Sequence, residues 1–473
     1  MLKKSETLKK LLSKIKHSKV LLDEDSLFKA SIDNARFSFL PEAVIKIQDE
    51  NDVGLVLKLA NETKTNVTIR GAGTGCCAGC VPQNGGWVID LSEFNKIEID
   101  KTSRCAHVKA GAITYDIFCA AKKENLFYPP DPSSHKFCTI GGNIACDAGG
   151  LRACKYGTTR DYIMALTCFL PTGEKVNWSL PLKKFTAGLN LRDMFVSSEG
   201  TLGVIVKATL KLLPLPENAR ACAAYFSSDS TALSAIEEIL KSTLNPSVLE
   251  FLDEESLSAA SKYKNLKMKK AAMLLMEFDG SLSDIKNSFA KLKSLKCGKE
   301  FQFSKTEKES EKLWEMRRIC SQASYMYGDT KLNQDIVLPS EKVSCFFDFF
   351  KNLCKEKNLY SPTFGHAGDG NYHLHIMYFA KDKKAKMLAN KAMEKSIVYA
   401  IKLGGAISGE HGIGLLKLKY MSHQHSPSEL STMKKIKRTL DPNNVLNAQK
   451  VLGNFDIYKF EPLKNIILPW DKK

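Results

Sequence analysis

Two stretches of this chain are too rich in glycine to be read as ordinary core elements: RGAGTGCCAG at 70–79 and TIGGNIACDAGGLRACKYG at 139–157. Both read as loops with little side-chain bulk and many exposed backbone N–H groups, a chemistry suited to wrapping a diphosphate. The first follows an apolar strand, NVTIR. Gly73-x-Gly75-x-x-Ala78 even has the spacing of the dinucleotide fingerprint, with Asp90 further along. That fingerprint needs a helix directly after its glycines. Pro82 and Gly85-Gly86 prevent one, so a Rossmann site is rejected. One such loop alone could equally be a tight structural turn. The pair points to a large dinucleotide cofactor.

Length bounds the organisation around these loops. A chain of 473 residues exceeds one ordinary core, so two or three domains are expected. The stretch AVIKI (43–47) reads as a strand. Asp49 then caps a helix carrying Val53, Val56, Leu57 and Ala60 at helical spacing. WVIDL (87–91) is another strand, and Thr114 is predicted to cap a helix reaching Glu124, before Pro129-Pro130. EGTLGVIVKATLKLLPLP (199–216) gives a turn, a long strand and proline punctuation, so a first domain is placed at 1–216. In 217–425 helices alternate with apolar strands such as AAMLLMEF, the pattern of an antiparallel sheet with helices on one side. A C-terminal helical segment, 426–473, starts near Ser426, ends its helix at Asp441-Pro442 and is expected to pack back on the first domain.

Composition excludes several function classes. Hydrophobic residues at 44% and charged residues at 26% are those of a soluble globular chain. No apolar run approaches the ~20 residues of a membrane-spanning helix. The net charge of +17, nearly all from lysine, favours acidic substrates or anionic surfaces. The lysines are scattered and form no block alternating with aromatics, so nucleic-acid binding is not expected. The basic N-terminus, MLKKSETLKKLLSKIK, reads as a surface helix; Glu6 and the lack of arginine argue against a transit peptide. Fourteen cysteines without regular spacing suggest a reducing compartment. The single CxxC, Cys77 to Cys80, has no second pair to complete a zinc or cluster site and reads as small residues filling the glycine loop.

The densest chemistry lies in FGHAGDGNYHLHI (364–376), which holds three of the nine histidines. Gly365, Gly368 and Gly370 disfavour a helix. YHLHI reads as a strand with His373 and His375 on one face, and a glycine turn could fold His366 back towards His373. Two converging imidazoles are half of a metal site, and equally a buried hydrogen-bonded pair. A third ligand is available in GGAISGEHGIGLLK (404–417), where Glu410 and His411 are isolated polar residues in an apolar stretch. Trp314 and Arg317 share a helix face in LWEMRR.

The order of the motifs is also informative. RGAGTG (70–75), PPDPSS (129–134), the 139–157 segment, RDYI (160–163) and SSEGTLGVI (197–205) follow one another as in flavoproteins of the vanillyl-alcohol oxidase and p-cresol methylhydroxylase (PCMH) superfamily. The chain resembles the branch of D-lactate dehydrogenases, D-2-hydroxyglutarate dehydrogenases and the catalytic subunit of glycolate oxidase, from about residue 20 to about residue 453. The resemblance implies an α+β fold: a two-subdomain PCMH-type FAD-binding domain, an antiparallel-sheet substrate (cap) domain and the C-terminal helical segment. The FAD diphosphate would rest on Arg70, Gly71, Ala72, Gly73, Thr74 and Gly75. Pro130, Asp131, Ser134, Thr139, Gly141, Gly142 and Asn143 would line the flavin and ribityl path, together with Gly149, Gly150, Tyr156 and Gly157. Glu199, Gly200 and Ile205 would close around the adenine, and Asn447, in DPNNVLNAQK, would reach the flavin ring. Covalently flavinylated relatives often carry histidine in the first loop, in place of Thr74, and none is near it here, so non-covalent FAD is expected.

The resemblance further implies that His366, His373 and Glu410 ligate a divalent metal, zinc or manganese. His411 would be the catalytic base and Arg317 the clamp on the substrate carboxylate, with Arg318 adjacent. Asn371 and Asp369 would shape the histidine loop. His375 stands where hydroxyglutarate-type members have asparagine. Ser321 and Lys331 lie near positions that bind substrate in some relatives, and Lys450 near the flavin. The implied activity is oxidation of a D-2-hydroxy acid to the 2-oxo acid. Hydride would pass to flavin N5, and a separate quinone, cytochrome or iron–sulfur protein would accept the electrons. A non-catalytic flavin subunit that relays electrons is the alternative. A related ether-lipid synthase is disfavoured because its run of consecutive histidines is absent. The expected place is the cytoplasm, with peripheral membrane contact as an addition, or the mitochondrion if the source is eukaryotic.

Overall fold

The strand Val67–Arg70 ends where the first glycine loop begins, and its neighbours explain its position. Ala43–Lys46 runs into the helix Glu50–Thr63, which returns the chain to Val67–Arg70. Asp49 caps that helix through the Asn51 N–H at 2.9 Å. Trp87–Asp90 then inserts between the two strands and pairs in parallel with both, while Lys19–Leu21 adds an antiparallel edge. Parallel strands covered on both faces read as continuous apolar runs, and Ala43, Val44, Ile45, Trp87, Val88 and Ile89 are all buried. In this computed structural model, residues 6–265, 272–464 and 466–471 are described.

The chain divides into two compact units. Unit 1 comprises Met1–Gly149, Thr158–Leu215 and Glu410–Lys473; unit 2 comprises Gly150–Gly157 and Pro216–Gly409. Beside its four-stranded sheet, unit 1 holds a five-stranded antiparallel sheet in the order Ile97–Asp100, Cys105–Lys109, Val204–Lys211, Ile163–Phe169, Lys175–Trp178. Unit 2 is built on one seven-stranded sheet, antiparallel throughout, in the order Glu300–Phe303, Asn218–Phe226, Ala272–Gly280, Val248–Leu252, Thr363–His366, Asn371–Tyr378, Thr330–Val337. The helix Pro427–Leu440 is capped by Ser426 and stops at Asp441, as its sequence indicates.

Two local expectations need correction. The second glycine segment is not all loop: Ile140–Cys146 is a helix, capped by Thr139, whose hydroxyl accepts the Gly142 N–H at 3.4 Å. Its glycine is there for closeness, since a Cβ on Gly141 would lie 2.8 Å from the Ala110 Cβ. Thr114 is the first residue of its helix, not the cap; Ile113 holds that position and the helix ends at Lys123. The Thr114 hydroxyl instead accepts the Asn143 side-chain amide at 2.7 Å. Among the described residues no helix is long and apolar enough to cross a membrane.

Candidate active site

Unit 1 brings the two glycine segments together. After Arg70 no helix forms until residue 114, so the 71–86 backbone stays irregular. A Cβ on Gly71 would sit 2.2 Å from the Thr139 hydroxyl, so the first loop lies directly against the cap of the helix at Ile140–Cys146. Gly73 has φ +79°, and a Cβ there would be 2.3 Å from the Arg70 guanidinium. Arg70 itself points inward: Nη1 donates to the Ile32 carbonyl at 2.8 Å and lies 3.4 Å from the Cys80 sulfur. Around Gly75 a Cβ would meet nothing within 4 Å. Pro130 is buried, while Asp131 and Ser134 are half-buried in the turn leading to Thr139.

Polar side chains in unit 1 chiefly fasten backbone. Both Glu199 carboxylate oxygens accept N–H groups, from Ile413 at 2.7 Å and Gly414 at 2.8 Å. Asn447 accepts the Ile69 N–H at 3.1 Å and donates to the Glu199 carbonyl at 2.7 Å. Gly200 is pressed against it, since a Cβ there would be 2.8 Å from Asn447 Nδ2. Ile205 is buried in the strand Val204–Lys211. Lys450 is buried with its Nζ 3.2 Å from Asn447 Oδ1, and burial pulls its ammonium down to about 8. Asp33, near Arg70 and Lys450, is pushed up to about 6 by burial. Glu410 and His411 lie in an irregular stretch and are neighbours in space, with His411 Nε2 3.8 Å from Glu410 Oε1. Gly149 borders Glu410; a Cβ on it would be 3.5 Å from Glu410 Oε2.

Unit 2 assembles the histidines by a hairpin. Thr363–His366 pairs with Asn371–Tyr378, placing Phe364 opposite His373. The turn needs its glycines: Gly370 has φ +77°, and a Cβ on it would be 2.4 Å from the Leu338 carbonyl. Asp369 Oδ1 accepts the Asn371 N–H at 3.1 Å and shapes the same turn. His366 Nε2 and His373 Nε2 end 3.5 Å apart, both side chains buried. On the other side of His366, Nδ1 bonds to Glu250 Oε1. The second Glu250 oxygen accepts Arg317 Nε at 2.5 Å. Glu250 is fully buried, yet its carboxyl is held down at about 2; burial opposes ionisation, and the His366 and Arg317 charges with their hydrogen bonds outweigh it.

Arg317 and Arg318 separate cleanly. Arg317 stacks on Phe364, 4.4 Å from the ring centroid. Arg318 is on the exposed side of the helix Glu307–Ala323, paired with Glu311. Trp314 is a core residue. Lys331 donates to Ser321 Oγ at 2.7 Å. His375 is buried edge-on to Phe364, with centroids 4.8 Å apart. Gly150, Tyr156 and Gly157 also fall in unit 2, where the Tyr156 hydroxyl donates to Asp279 Oδ2 at 2.6 Å. Asp335, strand partner of His373, accepts the Gly409 N–H at 2.7 Å. Glu410 is the next residue in the chain. Sequence reasoning missed Glu250 and Asp335. Each is a lone acid in an apolar strand, in VLEFL and QDIVL, and that isolation was the available signal.

The family described as "FAD binding domain" matches residues 41–179, and "FAD linked oxidases, C-terminal domain" matches 215–451. The chain is 34% identical to glycolate oxidase subunit GlcD of Bacillus subtilis over 88% of this chain and 90% of that one. The chain belongs to the FAD-linked oxidases. This FAD-linked oxidase is also 34% identical to a D-lactate dehydrogenase of Anaerostipes hadrus, over 87% of this chain and 89% of that one. Among solved structures, p-cresol methylhydroxylase with bound substrate shares its fold at a TM-score of 0.74, with 15% identity, over 90% of this chain and 92% of the other. The expected PCMH-type FAD-binding domain is therefore present in this oxidase, followed by an antiparallel cap domain.

The residues fit the groups that such an oxidase implies. Gly71, Gly73 and Gly75 offer backbone with no Cβ bulk near the Thr139 cap, suited to an FAD diphosphate. In unit 2, two nitrogens each ~2.05 Å from one tetrahedral zinc lie ~3.3 Å apart. The two histidine Nε2 atoms are 3.5 Å apart. A carboxylate on the far nitrogen of a ligating histidine is the usual orienting partner, and Glu250 occupies that place on His366.

Proposed function

We propose that this FAD-linked oxidase oxidises a small D-2-hydroxy acid, such as D-lactate or glycolate, to the 2-oxo acid. The observation that carries the reading is Glu250, whose one buried carboxylate holds a guanidinium and a histidine of a converging pair. An α-hydroxy carboxylate needs both kinds of group: a cation fork for its carboxylate, and a charge near its hydroxyl. Kinship to proteins named glycolate oxidase and D-lactate dehydrogenase supports the same class.

FAD held without a covalent bond by unit 1 supplies the acceptor for the hydride that leaves C2. A zinc or manganese ion held by His366, His373 and Glu410 supplies Lewis-acid charge. The Arg317 guanidinium keeps its fork aligned through Glu250 and Phe364 and pairs with the substrate carboxylate. His411 takes the C2 hydroxyl proton on an imidazole nitrogen. Glu410 follows Gly409, which Asp335 fixes beside the His373 strand. In the FAD cradle, Arg70, Gly71–Gly75 and the Thr139–Asn143 turn bear the diphosphate and ribityl chain, while Glu199 and Asn447 hold the loops in register. A separate quinone, cytochrome or iron–sulfur chain would take up the electrons, and the lysine-rich surface would give peripheral contact with an anionic membrane.

Anaerobic titration with paired D- and L-hydroxy acids tests this reading, following the flavin absorbance. D-acids are expected to bleach it, L-acids are not, and a chelator should slow the bleaching. A flavin untouched by every acid would reassign the chain to electron relay. Yellow colour that stays with acid-precipitated protein would rule out non-covalent FAD.

A further inference from the structure

We propose a second metal site, in unit 1, made of Asp100, Cys105 and His107 and suited to zinc or a similarly thiophilic divalent ion. The three residues lie on one face of the hairpin formed by Ile97–Asp100 and Cys105–Lys109. Asp100 is the cross-strand partner of Cys105, and His107 is two residues further on, so alternation returns it to the same side. One ligand atom from each lies within 4.8 Å of the others.

The geometry of the Cys105–His107 pair is that of ligands. Cys105 Sγ and His107 Nε2 are 3.7 Å apart. A tetrahedral zinc with a sulfur at ~2.3 Å and a nitrogen at ~2.05 Å separates the two by ~3.6 Å. The imidazole is also held from behind. Its Nδ1 lies 3.1 Å from the hydroxyl of Thr209, its partner on the strand Val204–Lys211. That contact holds the ring with Nε2 towards the sulfur, and a protonated Nδ1 can donate to the hydroxyl, the arrangement found behind ligating histidines. Cys105 is buried and His107 exposed, so an ion can enter from the His107 side. Binding as the thiolate displaces the thiol proton to solvent, one for each ion bound. Asp100 has a structural task as well, accepting the Ser103 N–H at 2.9 Å in the turn. Glu98, opposite His107 on the same face, is paired with Lys96 and is left out of the ligand set.

The site is independent of the histidine pair in unit 2, which has no thiolate, and a spectrum distinguishes them. The full-length FAD-loaded protein, reduced and stripped with chelator, is titrated with Co²⁺ while the near-ultraviolet thiolate-to-cobalt band is followed. One band saturating at one ion, with one proton released, is expected. Cys105→Ser and His107→Gln should each abolish it, and Thr209→Val should weaken binding by about 10-fold. His107→Gln, at an exposed position, guards against a folding defect and should leave turnover and FAD content unchanged. Absence of the band in the parent, or its survival in either ligand variant, overturns the proposal.

Discussion

Two sets of buried polar side chains, one in each unit, are held in opposite ways. In unit 1, Glu199 and Asn447 fasten backbone to backbone. In unit 2, Glu250 fastens side chain to side chain, and Asp253 does the same with Lys351. The titrations follow. Burial wins at three buried groups of unit 1: Asp33 rises to about 6, Glu199 also rises and Lys450 falls to about 8. Pairing wins at Glu250, which falls to about 2 against its burial, and at Lys351, whose ammonium is favoured by Asp253 and Glu255 despite burial. Asp229 and Glu255 are exceptions in unit 2: burial raises both, Asp229 to about 7, and Asp253 adds to each. Backbone held by side chains makes a smooth cradle for a large cofactor. Side chains held by side chains make a rigid reactive constellation.

Three substitutions or conditions probe that contrast. The largest effect is expected from His411→Ala, which should lower turnover by about 10²–10⁴-fold while FAD stays bound, as measured by anaerobic flavin reduction. Normal reduction rates would remove His411 from the chemistry. Next, Glu250→Ala leaves Arg317 and His366 buried with no carboxylate between them. Breaking a buried pair in this way costs about 3–5 kcal/mol. Urea denaturation should show that loss, with the FAD content of the folded protein kept. Parent-like stability would mean that side-chain pairing does not hold unit 2 together.

The smallest effect concerns pH and unit 1. Lys450 is charged below about 8, and a bound FAD, being anionic, favours the charged form. FAD binding then takes up a proton above that pH, so the dissociation constant should rise by up to about tenfold per pH unit. Without FAD the folded state has already released, between about 8 and 10.5, a proton that the unfolded chain keeps, so apoprotein stability should rise with pH across that window. Equilibrium dialysis of FAD from pH 7 to 10 checks the first sign. A Lys450→Met variant with an unchanged slope would assign it elsewhere.

Local signals were legible and long-range partners were not. Asp49, Ser426 and the apolar strands announce their elements because caps and periodicity act within a few residues. The rejection of a Rossmann helix after Gly75 also rested on nearby Pro82 and Gly85-Gly86, and the 71–86 backbone is indeed irregular. The helix Ile140–Cys146 was hidden because its Gly141 answers to Ala110, which the local sequence does not reveal. For the site, His366 and His373 are joined by one hairpin turn, and so were readable. Glu250 lies 116 positions from His366, on a strand made its neighbour by sheet topology alone.

The short excursion at Gly150–Gly157 limits how this chain can be cut and recombined. Its Cys154 sulfur lies 3.4 Å from the Ser247 carbonyl, and Lys155 and Tyr156 both meet Asp279. A chimera that exchanged only Pro216–Gly409 would leave these three residues facing a foreign strand. Transplanting unit 2 faithfully means carrying eight residues from within the stretch that matches the FAD-binding family, so that unit is not one contiguous piece of gene.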